Sequence, residues 1–221
     1  MDPPRVLSDM PADTSDPSDW RARPMGPQVL PGQYALRLTI GSDTQEQPLT
    51  VRIDPSSEQT EADLRLQFEQ ATRLNQVIAS LIDTERNLTA FKGQLDERRA
   101  SGREMRGDAS KELAMAVGEE LMKLDSTRLQ LTRPKSDIVP FYSEGPRPLE
   151  RAMSLMQSID NGLTPVVAAQ REYMGDVRRD AQTVIDMVER QVNATVQRIN
   201  PLLQSLGLPP LAAPPKKAAV S

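Results

Sequence analysis

The side chains able to work as general acids and bases in this 221-residue chain are its carboxylates, because histidine and cysteine are both absent. Two pairs are weighed for such a role, Glu119 with Glu120 and Asp176 with Asp180. A pair of carboxylates can share acid and base roles in hydrolysis when both converge on one bond. Adjacent residues on a helix point about 100° apart, so Glu119 and Glu120 are expected to diverge. Asp176 and Asp180 sit beside Arg178 and Arg179 and read as a solvated helix face. The missing residue types also remove thiol nucleophiles, disulfides and His/Cys metal sites. Glycine-rich phosphate loops, metal-ligand spacings and a nucleophile elbow are not found either. The expected sets of catalytic, cofactor-binding and metal-binding residues are therefore empty, and no cofactor is called for.

Three short matches have simpler readings. Arg106-Gly107-Asp108 spells an adhesion tripeptide, yet glycine followed by aspartate is what a helix-to-helix turn needs, with Asp108 as a cap. Asn87-Leu88-Thr89 and Asn193-Ala194-Thr195 fit a glycosylation pattern, but both fall inside helical periodicity with apolar neighbours. Asp96-Glu97-Arg98-Arg99, with Arg103 and Arg106, mixes signs and reads as a charged end of a bundle. The formal net charge is -4 and aromatic residues make up 3% of the chain, with one tryptophan, Trp20. Neither a positive field nor a base-stacking surface follows, so nucleic acid is not an expected partner.

Any site must be positioned by a small set of elements. Residues 1–30 carry six prolines among scattered charges and read as an extended arm. Over residues 31–55, Tyr34, Leu36, Leu38 and Ile40 alternate with Ala35, Arg37 and Thr39; then Leu49, Val51 and Ile53 alternate with Thr50 and Arg52. Gly41-Ser42-Asp43 supplies the turn between the runs, and Asp54-Pro55 the stop, which makes a β-hairpin. Thr60 is placed to cap a helix whose stripe runs Leu64, Phe68, Ala71, Leu74, Ile78, Leu81, Leu88, Phe91 and Leu95. Ser101-Gly102 and Gly107-Asp108 break it. A second helix follows with Leu113, Val117, Leu121, Leu124 and Leu131, stopping near Pro134. Ile138, Val139, Phe141 and Tyr142 form an apolar anchor in a proline-rich crossing. A short helix with Leu149, Met153, Met156 and Ile159 on one face closes at Asp160-Asn161-Gly162. The last helix opens at Thr164-Pro165. Its stripe runs Val166, Ala169, Tyr173, Val177, Ala181, Val184, Val188, Val192, Val196 and Ile199, as far as Asn200-Pro201.

These stripes cover one another when the helices lie side by side. The expected fold is mainly α: an elongated antiparallel bundle of three or four helices over residues 60–206, preceded by the hairpin, with a disordered tail at 207–221. No apolar run approaches the roughly 20 residues of a membrane span. The acidic, proline-rich start lacks the pattern of a secretory signal.

The stretch Gly26-Pro27-Gln28-Val29-Leu30-Pro31-Gly32-Gln33-Tyr34-Ala35-Leu36-Arg37-Leu38-Thr39-Ile40, with Gln47-Pro48-Leu49-Thr50-Val51-Arg52-Ile53-Asp54-Pro55 after it, resembles the C-terminal region of bacterial sortilin-like or BNR-repeat β-propeller proteins often labelled glycosyl hydrolases. There two such strands end an immunoglobulin-like module and a helical segment follows. Leu202-Leu203-Gln204-Ser205-Leu206-Gly207-Leu208-Pro209-Pro210-Leu211 is similar to the family's tail. Ser56 stands where the family often has arginine. The resemblance implies an extracytoplasmic setting, a partial immunoglobulin-like β module, and an upstream β-propeller that carries any hydrolase activity. No Asp-box repeat occurs here, and no functional residue transfers.

The chain is therefore expected to be a noncatalytic accessory or docking module. Its partner would be the upstream propeller or immunoglobulin-like strands, met through Tyr34, Leu36, Leu38, Leu49, Val51 and Ile53. The alternatives are a hydrolase fragment contributing to a composite active site and a free-standing helical adaptor.

Overall fold

The computed structural model describes residues 26–105, 107–132, 145–160 and 164–215. Trp20, the arm up to residue 25, Arg106, the apolar anchor at 138–142, Asn161-Gly162 and residues 216–221 lie outside them. The described residues form two strands, β1 (Gly32–Ile40) and β2 (Asp43–Val51), followed by four helices: α1 (Glu61–Arg103), α2 (Asp108–Leu131), α3 (Pro148–Ile159) and α4 (Ala168–Ser205). The fold is thus mainly helical with a hairpin ahead of the helices, as the periodicities predict. Two compact units divide it, one of residues 1–75 and 155–172, the other of residues 76–154 and 173–221.

In the first unit, β1 and β2 pair antiparallel around a two-residue turn, with Ile40 opposite Asp43 and Gly32 opposite Val51. Gly41 has φ 61° and no other residue of the turn has a positive φ, which is the glycine-first turn whose twist suits a tight hairpin. β2 starts earlier than the alternation suggests, taking in the polar run from Asp43, and ends before Ile53. Asp54 then makes a local turn, accepting from the Ser56 amide at 2.8 Å and from its hydroxyl at 2.7 Å. Those bonds hold the Asp54 carboxyl below its usual range. Ser56, the departure from the resembled pattern, thus has a definite structural task.

Helix α1 begins as Thr60 predicts. The Asp63 amide donates to the Thr60 hydroxyl at 3.2 Å while the Asp63 carboxylate accepts from the Thr60 amide at 2.9 Å, a reciprocal cap. The core of this unit is partly polar. Ala71, Leu74, Leu155, Met156, Ile159 and Val166 are buried, but so are Gln59, Gln67, Gln70 and Asn75. Leu64 and Phe68, expected in the stripe, stay partly exposed.

In the second unit, α1 and α2 run antiparallel. Lys92 pairs with Asp125, Glu85 accepts from Arg128 at 2.7 Å, and Gly102 faces Leu113. Gly102 does not break α1, which continues to Arg103. A Cβ there would stand 2.7 Å from Leu113 Cδ2, so the glycine permits close helix approach. Asp108 is the first residue of α2 rather than its cap; Gly107 holds the cap position at φ 133°. Buried positions on α2 fall at Ser110, Leu113, Ala116, Val117, Glu120, Leu124, Thr127 and Leu131; Ala116 apart, they alternate steps of three and four as in a coiled-coil seam.

Three further expectations fail. On α3 the buried set is Pro148, Ala152, Leu155, Met156 and Ile159, while Leu149 and Met153 are only partly covered. Helix α4 starts at Ala168, not at Thr164-Pro165; the Gln170 side chain accepts from the Val167 amide at 3.0 Å. It also passes through Pro201 to Ser205. An internal proline costs about 3 kcal/mol; burial of Leu203 and a well-formed end offset it. At that end the Leu208 amide bonds to Leu203 O at 2.9 Å and the Gly207 amide to Gln204 O at 3.1 Å, with Gly207 at φ 67°. This is the Schellman pattern.

Candidate functional site

The hairpin sorts its side chains by register. On one face Arg37 reaches Glu46 at 2.5 Å, the Thr50 hydroxyl donates to Gln33 at 2.9 Å, and Thr39 meets Thr44 at 3.3 Å. The opposite face carries Tyr34, Leu36, Leu38 and Ile40 from β1, with Leu49 and Val51 from β2. This face is open. Leu36 is 63% exposed, Leu38 59% and Ile40 71%, and Tyr34 and Leu49 are also exposed.

Of the six expected docking residues, Tyr34, Leu36, Leu38, Leu49 and Val51 come together on this face. Ile53 does not belong to it, because β2 has ended. Ile40 extends the patch and its alternation with Leu38 was legible in sequence. β2 contributes less apolar surface than expected: Leu36 faces Gln47 and Leu38 faces Gln45.

The two outer edges differ. A two-residue turn closes on a hydrogen-bonded pair, and bonded and non-bonded pairs alternate from there. Ala35 opposite Pro48 is then a non-bonded pair, where backbone groups face outward. Proline has no N–H to offer there, so the β2 edge is interrupted and the β1 edge is the better template for another strand.

The root of the hairpin is held within the same unit. The Gln28 amide donates to both carboxylate oxygens of Asp160, at 3.2 and 3.1 Å, and its side-chain amide donates to Asp160 O at 3.1 Å. Tyr34 OH donates to Leu30 O at 2.5 Å. Burial pushes the Asp160 carboxyl above its usual range, against the bonds from Gln28 and Gln67. Asp160 reads as a turn residue in sequence, and nothing local announces a partner 132 positions away.

The carboxylate pairs occupy different surroundings in the second unit. Glu119 and Glu120 do not diverge: Arg198 takes Glu119 at 2.5 Å and Glu120 at 2.7 Å. Glu120 is 2% exposed and also accepts from Lys123 at 2.8 Å, Thr195 at 2.8 Å and Gln191 at 3.1 Å. Burial acts to raise its pKa, but the bonds from Lys123, Arg198 and Thr195 and the Lys123 charge hold it below the ordinary glutamate range. A carboxylate with its lone pairs so occupied is a structural group, unsuited to accept a proton at neutral pH. Asp176 pairs with Arg179 as expected, whereas Asp180 turns to Arg151 of α3.

The sequon at Asn193 depends on Thr195, which is fully buried against Glu120. Among the described residues no cluster of three or more acidic side chains is arranged to hold a metal ion. No helix of the described residues is long and apolar enough to cross a membrane. Compared with protein-family models, curated proteins and solved structures, the chain matches none.

Proposed function

We propose that this chain is a noncatalytic docking module whose hairpin receives a β-structured partner, of the kind found in the immunoglobulin-like strands and β-propeller of the family it resembles. The observation that carries this reading is the exposed face of Tyr34, Leu36, Leu38, Ile40 and Leu49. Two strands are marginal in water without something to pack on, and an apolar face of this regularity suits sheet-on-sheet contact. The open β1 edge adds a second mode of attachment, through main-chain hydrogen bonds to a further strand. The anchoring of Gln28 to Asp160 supports the same reading, since a firmly rooted hairpin presents its face with less ordering cost on binding.

A photo-reactive residue at Leu38 of the full chain, expressed in its native host, tests this. The expected cross-link is to a protein with propeller or immunoglobulin-like strands, absent when the same residue is placed at Arg37. Adding that protein should slow amide exchange in residues 34–51, and Leu36→Asp should abolish the slowing. Capture of a protein with no such strands, or equal capture from positions 37 and 38, overturns the proposal.

A further inference from the structure

Residues 208–215 do not form the disordered tail expected from their composition. They return along the second unit, between α1 and α4, in an extended path. Beyond the helix cap, where the Leu208 amide bonds to Leu203 O, the polar contacts on residues 209–212 run from groove side chains to the segment's main chain. The Leu211 amide donates to Asn200 Oδ1 at 2.8 Å and Asn200 Nδ2 donates to Leu211 O at 3.2 Å. The next residue is gripped the same way from the other helix. The Ala212 amide donates to Gln94 Oε1 at 3.1 Å, and Gln94 Nε2 donates to Ala212 O at 3.4 Å. Arg98 Nε donates to Pro209 O at 2.9 Å. One side chain is read as well: Leu211 is 4% exposed.

The chemistry of the segment matches this grip. Pro209, Pro210, Pro214 and Pro215 have no N–H to leave unpaired against a helix, and they predispose the chain to an extended form, so little further entropy is lost on seating. Beyond Ala212 the groove continues as a cavity of about 120 Å³ beside Pro214 and Pro215, walled by Leu88, Val188 and Val192 with Asn87 and Asn193 also lining it. Paired amide clamps, one leucine socket and an apolar continuation amount to a peptide-recognition groove. None of these contacts requires the segment to be covalently joined to α4.

We propose that the α1/α4 groove is a docking site for extended, proline-flanked leucine segments, and that residues 208–215 are its tethered resident, which a partner protein carrying such a segment displaces. The tether places the resident at an effective concentration of about millimolar, so a free competitor meets the wild-type chain at a disadvantage.

The probe is a fluorescent peptide of residues 208–215, titrated against the full chain and against full-length Leu211→Asp, whose resident is spoiled. Binding should be at least about tenfold tighter to Leu211→Asp than to wild type. Adding Gln94→Ala and Asn200→Ala should remove that gain. A Leu211→Asp chain that keeps its helical signal yet shows no saturable binding overturns the proposal, as does binding indifferent to Gln94 and Asn200. A second measurement needs no variant. Excess unlabelled peptide should speed exchange at the Leu211 and Ala212 amides of the wild-type chain, and a peptide with Leu211→Asp should not; unchanged exchange makes the segment a fixed strap. A wild-type dimer that the peptide dissociates would assign the groove to a second copy's tail instead, and so would also overturn displacement by a partner.

Discussion

Thr195→Val probes the buried polar layer of the second unit with the least change of shape. Thr195 is fully buried, and its hydroxyl lies 2.8 Å from Glu120 Oε2 and 2.9 Å from Gln191 O. Valine fills nearly the same volume but donates nothing. A hydrogen bond to a charged group contributes about 1.5–3 kcal/mol, and the added methyl returns part of a buried CH₂, about 0.8 kcal/mol. The net loss should therefore be about 1–2 kcal/mol. At this chain length that lowers the melting temperature by roughly 2–8 °C. The control is Glu120→Leu. A leucine at this seam position suits the heptad, and the two cations it leaves behind are not buried, since Lys123 is half exposed and Arg198 keeps its pairing with Glu119. In that background Thr195→Val should cost clearly less than in wild type, because the charged acceptor has gone and only the bond to Gln191 O remains. Thermal and urea melts followed by circular dichroism of the four chains give the coupling energy directly. Coupling below about 0.5 kcal/mol would refute the account of Glu120 and Thr195 as one buried unit.

Two further outcomes follow from the same geometry. Glu120 has a folded pKa below its unfolded one, so its contribution is present above the ordinary glutamate range, about 4.3, and is lost as pH falls through the lower folded value; melts from pH 7 down to pH 2 should show a steeper acid loss for wild type than for Glu120→Leu. Gly93→Ala should stabilise by about 0.5–1 kcal/mol, since a Cβ meets nothing within 4 Å, whereas Gly102→Ala should destabilise by about 1 kcal/mol or more because it drives into buried Leu113; equal shifts in melting temperature would show that Gly102 is not a contact point.

Much of this protein is written in local chemistry. The alternation from Tyr34 to Ile40 and the glycine turn make the hairpin, because strand period and turn geometry depend on neighbours a few residues apart. The Thr60 cap is equally local, as is the helical stripe from Leu113 to Leu131. The same pattern reading slips by one position where a polar residue takes a core place. Leu121 and Val196 look like seam residues, yet Glu120 and Thr195 are the buried pair. Hydropathy cannot signal a buried carboxylate, since its burial is tolerable only once Arg198, Lys123, Thr195 and Gln191 have converged on it from two helices. Pro201 likewise reads as a stop, and only the anchoring of Leu203 beyond it carries the helix on. The segment after Gly207 is rich in proline and alanine, a composition that by itself argues for disorder. Its order comes from Asn200 and Gln94, whose amides find its main chain across 11 and 118 positions of sequence. Contacts of that kind exist only after α1 and α4 have packed, because α4 supplies the amide that holds Leu211 and α1 the amide that holds Ala212.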